Sequence, residues 1–600
     1  MHRKFWFLAA AAVALFALAG SAAAVTSGRS GVPAAGKWAG IPMSNAARAA
    51  KSSIVVAEEQ DLAPGCGWNV LNGACNLAWA TWIGWNPILR GPYLVAYSNN
   101  HYVYKYDLAT SVKANAKGIT YTINPKARWN YGGVVSKVTW QDFVYTVKTI
   151  NNVNNQVASN VGINQISSFK HTGNTVTFFW KKPGQTALGG DNTTKGCTGN
   201  NACGPFADYK DLIGSILPFA ATHTLDFNSS LFANCVCGAN GKYITDGPYY
   251  MQAYNRGSQV VLKKNPKGWY GTSPKVATVY FKDVTSTTTE IQGIKGGEYD
   301  IGSPQPTPDL APLAHVSTIN YKVLPGNYLE HIDMQENANQ GPNTPAQPLL
   351  ANDAWFRQAV MMGLNRAGII SAALPGVAPG LKPLNSLLVF QSDKRYKAPF
   401  AKWDYAPQKA IDKLKANGCT GGPDTPTPGT SKVFTCNGHK AEFAFTYAQD
   451  NSRRLASFSI IQQELQAIGM KVDADGLNSA HGGPFFGHVD AGNYNATEFA
   501  WGGSIDPGGF EAIWGCGGGS NYLNYCNHTA TNLMHAADSQ LHTAARDQDY
   551  IQADAAMSAD VPAIPLYALP EIVTYKKTIA GVKGNPAAGF TWNIEAWHWK

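Results

Sequence analysis

The sequence predicts an α/β fold with several compact units. The chain has 600 residues, and because domains usually run to about 100–200 residues, three or four units are expected. Helical and strand-like patterns alternate between residues 350 and 500, which is typical of an α/β domain. Period-two alternation of apolar residues predicts strands at Gly118–Ile123, at Thr175–Trp180 and over residues 276–281.

Capping residues and apolar periodicity predict helices. Thr139 and Asp142 have the spacing of a capping box, and apolar residues follow at helical intervals. Ser452 is expected to cap a longer helix. One buried stripe is predicted on that helix, formed by Leu455, Phe458, Ile461, Leu465 and Ile468.

The N-terminus has the pattern of a secretory signal peptide. Arg3 and Lys4 precede an apolar stretch over residues 5–19, and alanines at 22–24 supply small residues before a cleavage site. The stretch is short for a membrane span of about 20 residues. We expect a signal peptide over residues 1–24 and, because residues 26–31 are small and polar, a flexible segment over residues 25–56.

The cysteines indicate disulfides, because an exported chain meets an oxidising compartment. The chain has ten cysteines in close groups. Three pairs are predicted: Cys66 with Cys75, Cys419 with Cys436, and Cys516 with Cys526. The connectivity of the remaining four stays open among three possibilities: Cys197, Cys203, Cys235 and Cys237.

Composition and motifs exclude several function classes. The formal charge of +9 is spread without a basic stripe, so no nucleic-acid partner is expected. The sequence lacks G-x-S-x-G, H-E-x-x-H and a Walker loop. His481 and His488 lie near a Gly-rich stretch, but no third ligand accompanies them, so ordinary loop positions are favoured over a metal site. We expect no catalytic residue, no metal and no cofactor.

A series of motifs resembles the bacterial family 5 extracellular solute-binding proteins, which serve dipeptide, oligopeptide and nickel importers. The similarity runs from about residue 60 to residue 600. Each motif is weak alone, but their order is specific. The motifs are Gly84-Trp85-Asn86-Pro87, similar to an early strand; Asp142-Phe143; Asp246-Gly247-Pro248-Tyr249; Trp269-Tyr270-Gly271; Gly297-Glu298-Tyr299-Asp300-Ile301; Phe356-Arg357-Gln358-Ala359; Asn365-Arg366; and Ile564-Pro565-Leu566-Tyr567.

The resemblance implies a two-lobed periplasmic-binding-protein fold of the large, peptide-binding type. Lobe I would comprise residues 57–305 and 556–600, with an extra subdomain inserted at about 95–240, and lobe II residues 306–555. It implies a monomer that captures a peptide or another small molecule between the lobes and delivers it to an ABC permease. Ser21 stands where Gram-positive members carry a lipid-modified cysteine, so a periplasmic, extracellular or cell-surface protein without a lipobox cysteine is expected.

The resemblance also suggests ligand-binding residues. In peptide-binding relatives an aspartate four residues before a proline holds the peptide ammonium; here Pro507 sets the frame and Gly503 stands at that position. Asp506 could substitute, although a turn role before proline is favoured. Trp501, Trp85 and Tyr328 are candidates for the cleft, with core packing as the alternative.

Two other functions stay open at this point. The same fold could bind an oligosaccharide or another polar solute, which the missing acid and the many tryptophans favour. A secreted hydrolase with an acidic pair is the third hypothesis, and both the absence of a recognisable motif and the family resemblance count against it.

Overall fold

The computed structural model describes residues 52–59, 67–75, 79–98, 101–197, 202–284, 286–479, 483–503 and 505–600. The predicted signal peptide lies outside these residues, as do residues 25–51 of the predicted flexible segment. Residues 53–56 of that segment are not flexible, because they begin the strand Ser53–Glu58. Their apolar side chains are buried, which anchors them in the sheet.

One mixed sheet of ten strands runs through the molecule. Its strands, in spatial order, are Tyr249–Asn255, Gln259–Lys264, Thr278–Asp283, Ser53–Glu58, Ile301–Gly302, Ala563–Lys576, Ile319–Met334, Ala496–Gly502, Glu442–Ala448 and Lys471–Leu477. The strand Ser53–Glu58 is parallel to both of its neighbours, and Glu442–Ala448 is parallel to both of its own. The remaining pairs are antiparallel.

Smaller sheets flank this one. A four-stranded sheet has the order Ala109–Asn115, Gly118–Ile123, Thr175–Trp180 and Ile166–Thr172, and a three-stranded sheet has the order Ile244–Thr245, Arg128–Tyr131 and Val134–Lys137. The two-stranded sheets pair Tyr93–Ser98 with His101–Tyr106, Thr435–Cys436 with His439–Lys440, and Ile579–Ala580 with His598–Trp599.

The helices cover these sheets. The α-helices are Trp140–Asn151, Phe219–Thr222, Thr287–Gly296, Gln347–Asn352, Ala354–Gly363, Arg366–Ala373, Pro407–Ala416, Ser452–Ala467, Pro484–Asp490, Glu511–Trp514, His528–Ser539 and Thr543–Asp560. Short 3₁₀ segments are Gly73–Cys75, Ile163–Gln165, Asn192–Thr194, Pro308–His315, Pro399–Trp403 and Phe590–Ala596, and Ala80–Trp85 forms a π-helical turn. Among the described residues, no helix has the length and hydrophobicity to cross a bilayer.

The buried apolar residues form two separate hydrophobic cores. The first core contains residues between Ile54 and Ile301 together with residues from Val573 to Trp597. The second core contains residues between Val284 and Ile572, joined by Val55 and Ala57. Strand Ser53–Glu58 therefore contributes alternate side chains to both cores, as the period of a strand requires.

Two long antiparallel strands join the two cores. Ile319–Met334 and Ala563–Lys576 pair along most of their length, with register shifts between Leu324 and Tyr328 and between Glu330 and His331. Gly326 lies in the first irregularity and leaves no room for a Cβ against the backbone of Leu569. The close approach explains why glycine is needed at this position.

The sequence-based helix and strand predictions have mixed outcomes. The capping box is confirmed: the Thr139 backbone amide donates to the Asp142 carboxylate at 2.8 Å, and the helix Trp140–Asn151 follows. On the helix Ser452–Ala467, the cap is Asn451 rather than Ser452. Leu455 was wrongly placed on the buried stripe, because its side chain is 44% exposed, whereas Phe458, Ile461, Leu465 and Ile468 are buried.

Candidate functional site

A cavity of about 470 Å³ opens beside the two crossing strands. Its lining combines Trp82, which packs against the first core, with Phe486 and Leu569, which pack against the second. The volume falls within the range of roughly 300–1,000 Å³ that is usual for small-molecule sites. The lining also includes Glu58, Glu59, Gln305, Asn327, Tyr328, Arg453, Arg454 and Glu571.

One wall of the cavity is acidic. Glu58 ends the strand Ser53–Glu58, Glu59 follows it, and Glu571 lies on the crossing strand Ala563–Lys576. Burial raises the pKa of Glu571 to about 8. Burial, then the charges of Glu59 and Glu571, raise the pKa of Glu58 well above its ordinary value.

Glu290 stands beside this acidic wall on the helix Thr287–Gly296, whose first turn is capped by Ser286. Burial and the neighbouring Glu59 and Glu58 raise the pKa of the Glu290 carboxyl. The pKa of Glu59 is also raised by burial, although its contact with Glu290 opposes that shift. Its Oε1 accepts a hydrogen bond from the Gln305 backbone amide at 3.3 Å. Burial therefore favours the protonated form of these carboxyls when nothing positive lies beside them.

Another part of the lining is basic. Arg453 and Arg454 lie in the first turn of the helix Ser452–Ala467, where the Asn451 side chain caps their backbone amides. Both guanidinium groups bind Glu330 of the other crossing strand, at 3.1 Å from Arg453 Nη2 and at 2.8 Å from Arg454 Nε. Burial acts to raise the pKa of Glu330, but Arg454 and Arg453 outweigh it and hold that pKa at about 2.

Glu498 gives this basic cluster a second buried carboxyl. Burial and then the charge of Glu330 raise the pKa of Glu498 to about 8, so one carboxylate, that of Glu330, faces two guanidinium groups near neutral pH. A positive charge is left near the cavity. The lining therefore combines carboxyls whose pKa values are raised with an excess of guanidinium charge, which suits a solute that carries both polar and charged groups.

Among the predicted ligand-binding residues, Tyr328 lies on this cavity. Burial, then the charge of Glu571, raise the pKa of its hydroxyl. The irregularity after Leu324 turns Asn327 and Tyr328 toward the cavity.

Trp501 and Trp85 occupy core positions away from the cavity lining. Trp501 is 2% exposed and packs against Phe499 with ring centroids 5.1 Å apart. Trp85 is 3% exposed and donates its Nε1–H to the Trp68 carbonyl at 2.6 Å. The expected early strand around Trp85 is wrong, because Ala80–Trp85 forms a π-helical turn. Packing with neighbouring aromatic rings accounts for both tryptophans.

Gly503 and Asp506 make polar contacts with other groups of the protein. The Gly503 amide donates to the Asn327 carbonyl at 2.6 Å, and a Cβ at position 503 would run into the Phe390 ring. Asp506 pairs with Arg395 at 3.1 Å and also contacts Arg546. Neither residue lines the cavity, so the structure brings only Tyr328 of the predicted set to it.

The structure brings four cysteine pairs to bonding distance. They are Cys419 with Cys436 and Cys516 with Cys526, as predicted, and Cys197 with Cys203 and Cys235 with Cys237 for the open set. Cys75 is disulfide-bonded, and Cys66, its predicted partner, lies outside the described residues. All of the described pairs close short loops, with at most 17 residues of separation.

Among the described residues, His488 is not part of a group of metal-ligating side chains. His481 lies outside the described residues, and the His488 ring contacts the Asn493 amide at 3.3 Å. In the part of the chain that the structure describes, the one group with ligand atoms close enough together comprises Cys516, Cys526 and His528. The two sulfurs of that group are joined to each other, so they are not thiolate ligands.

Sequence reasoning missed the charged groups of the cavity. Glu58 and Glu59 are adjacent acids, and Arg453 and Arg454 directly follow a helix cap. Those doublets are visible in the sequence, but their convergence is not. Glu571 gives no comparable signal, because nothing in its neighbourhood shows that the strand bearing it crosses between the cores.

Two cores, two connecting strands and a charged cavity beside them define a two-lobed binding protein. The chain belongs to the bacterial extracellular solute-binding proteins, family 5, whose model matches residues 103–522. The predicted family and fold class are therefore confirmed.

Curated relatives and solved structures are similar over most of the chain. The oligopeptide-binding protein OppA of Mycobacterium tuberculosis is 23% identical over 476 residues, which cover 77% of this chain and 71% of OppA. The dipeptide-binding protein of Escherichia coli is 23% identical, covering 62% of this chain and 66% of its own length.

Among solved structures, a periplasmic EDTA-binding protein, EppA, has a TM-score of 0.73 and 17% identity, and covers 91% of this chain and 96% of EppA. The oligopeptide-binding protein AppA from Bacillus subtilis, in complex with a nonapeptide, has a TM-score of 0.67 and 18% identity, with 91% of this chain and 99% of AppA covered. Because the sequence identities to these two solved structures are low, the structural similarity shows a shared fold.

Proposed function

We propose that this protein is the solute-binding component of an ABC importer and captures a peptide in the cavity beside the crossing strands. The observation that carries the proposal is a cavity of about 470 Å³ whose lining comes from both cores and includes buried charged groups. Relatives named as oligopeptide- and dipeptide-binding proteins support a peptide. Delivery to a membrane permease follows from the family.

The proposed lobes correspond to the two hydrophobic cores. Along the chain, residues of the first core give way to residues of the second near residue 301, and the first core resumes between Ile572 and Val573. The predicted lobe boundaries are at residues 305 and 556. Two strands that join two cores can act as a hinge, because small backbone changes there move whole lobes. Closure would bury the ligand and exclude water from its charged groups.

Contacts away from the crossing strands also join the cores. The Ala207 amide donates to the Asp538 carbonyl at 2.8 Å, and the Arg546 guanidinium donates to the Ala207 carbonyl at 3.5 Å. Burial and nearby acids raise the pKa of Asp208 well above its ordinary value. We propose that this contact closes the lobes on each other and opens during ligand entry.

Export is part of the proposal. The disulfide-bonded cysteines support an oxidising compartment, and the predicted signal peptide provides the route. The protein is proposed to work in the periplasm or at the cell surface as a monomer, without a nucleic-acid partner and without catalysis of its own.

Ligand screening by thermal shift tests the function. The mature chain is heated with pooled di-, tri- and tetrapeptides, with oligosaccharides and with metal salts. A tight ligand raises the melting temperature by mass action. At a concentration of 100 times its Kd, it adds about 2.7 kcal/mol to the free energy of unfolding. A shift with peptides supports the proposal. Stabilisation by oligosaccharides with none by peptides would contradict it, as would turnover of the stabilising ligand.

An oligosaccharide is the second candidate. Trp82, Tyr328 and Phe486 all line the cavity, and aromatic faces can stack on the apolar faces of sugar rings. The oligosaccharide arm of the same screen decides between the candidates.

A further inference from the structure

Two residues on the cavity carry buried carboxyl oxygens that have no hydrogen-bond partner. Glu58 is 5% exposed and its Oε1 is unpaired, and both side-chain oxygens of Glu571 are buried and unpaired. Both residues line the cavity. They are close enough for the charge of Glu571 to act on Glu58. The acidic wall of the cavity therefore holds buried acceptors that no protein group pairs.

A buried carboxylate without a partner is unfavourable by several kcal/mol. Such a group either holds a proton or receives a positive charge from outside the protein. Glu59 and Glu290 are further acids beside the same wall. A cation that enters the cavity favours the ionised form of these carboxyls and gains unpaired acceptors, whereas an anion finds no such partner at this wall.

The spacing of these groups does not suit a metal ion. Among the described residues, the glutamates of this wall do not form a group of three or more ligand atoms within 4.8 Å of one another. Calcium takes six to eight oxygen ligands at about 2.3–2.6 Å. An organic cation needs less: an ammonium has three donors and can bind two carboxylates that are further apart.

We propose that Glu58 and Glu571 form the subsite for an organic cationic group, an ammonium or guanidinium, of the captured solute. The inference rests on the proposed function and names the part of the solute that enters the acidic wall. For a peptide, the group is its free amino end or a basic side chain. Arg454, on the basic part of the lining, is left to face an anionic or carbonyl group of the same solute.

The test compares matched probes on the full mature chain by isothermal titration. The probes are trialanine with a free amino end, N-acetyl-trialanine, trilysine, spermidine and calcium chloride. Free trialanine and trilysine are expected to bind at least tenfold more tightly than N-acetyl-trialanine. Spermidine is expected to bind and calcium is not.

Variants assign the effect to these carboxyls. Glu571→Gln and Glu58→Gln keep the side-chain shape and are each expected to weaken trialanine and trilysine at least tenfold, while N-acetyl-trialanine changes less than twofold. Asp412→Asn is the control, because Asp412 is an exposed carboxylate that does not line the cavity. It is expected to change no affinity more than twofold. A melting temperature measured for each variant confirms that it is folded.

Each outcome decides the inference. Equal affinity for free and acetylated trialanine, equal effects of Glu571→Gln and Asp412→Asn, or calcium binding that Glu571→Gln abolishes would each overturn it while peptide capture stands. Spermidine binding that Glu571→Gln weakens, with no peptide bound, supports the cationic subsite and overturns the peptide. Absence of binding by every probe overturns both proposals.

Discussion

Replacing Glu330 tests the buried ion pairs beside the cavity. Glu330 is fully buried on a crossing strand, and Arg453 and Arg454 are 2% and 7% exposed. Their nitrogens lie 3.1 and 2.8 Å from its two oxygens. Glu330→Gln removes the negative charge and leaves two buried guanidinium groups, so we expect the variant to fold with a lower free energy of unfolding.

The expected loss follows from the burial of the partners. Removing one partner of a buried ion pair costs about 3–5 kcal/mol, because the remaining charge stays desolvated and uncompensated. Glu498 can recover part of this by ionising, since the charge of Glu330 is one of the causes that raise its pKa. A loss of about 3 kcal/mol, at the lower end of that range, is therefore expected.

Urea unfolding followed by tryptophan fluorescence at pH 7 measures this loss. Asp424→Asn is the control, because the Lys415–Asp424 pair has a similar 2.6 Å separation but side chains that are 40% and 88% exposed. Exposed pairs often contribute nothing measurable, so the control is expected to unfold with the parent. A Glu330→Gln midpoint equal to that of Asp424→Asn would refute the reasoning.

The same pair predicts a pH dependence. The pKa of Glu330 is lowered from 4.5 to about 2 in the folded protein, so its ionised form stabilises the fold above pH 4.5. That stabilisation is lost as the pH falls from about 4.5 toward 2. Urea midpoints of the parent and of Glu330→Gln are expected to converge over this window. A constant difference down to pH 2 would contradict the ion pair.

Two further predictions concern local packing and loop closure. Gly503→Asp is expected to destabilise the fold by about 1–3 kcal/mol, because the new Cβ overlaps the Phe390 ring. The control is Gly214→Asp, at an exposed glycine with open space around the position of a Cβ, and it should unfold at the urea midpoint of the parent. Equal urea midpoints for the two variants would disprove the clash. Replacing Cys419 and Cys436 together by serine opens a loop of 17 residues and should cost about 3 kcal/mol, with an unchanged urea midpoint as the contradicting result.

Local structure could be predicted wherever the signal lies within one segment. The capping box at Thr139 and the strands Gly118–Ile123 and Thr175–Trp180 were found with their bounds, because hydrogen bonds of caps and the period of a strand depend on neighbouring residues. The buried stripe on the helix Ser452–Ala467 was predicted correctly except for Leu455, which is exposed. Its exposure depends on which parts of the tertiary structure cover that end of the helix.

The candidate site could be predicted far less well. Tyr328 was expected at the cleft and lies on the cavity. Trp501 and Trp85 pack in the cores instead, since a large aromatic residue has the same sequence signal in a core and in a pocket. For Gly503, the sequence showed the missing acid but could not show that Phe390 and Asn327 occupy the space around it.

The sequence alone determined the family, the α/β class, many of the helices and strands, and two of the cysteine pairings; the pairing of Cys66 with Cys75 stays a prediction. These properties depend on residue order and on contacts within short segments. Tertiary structure decided the pairing of Cys197 with Cys203 and of Cys235 with Cys237, and the meeting of Glu58 with Glu571. Those two glutamates are far apart in the chain, and only the pairing of strands in one sheet brings them to the same cavity, where burial raises the pKa of both carboxyls.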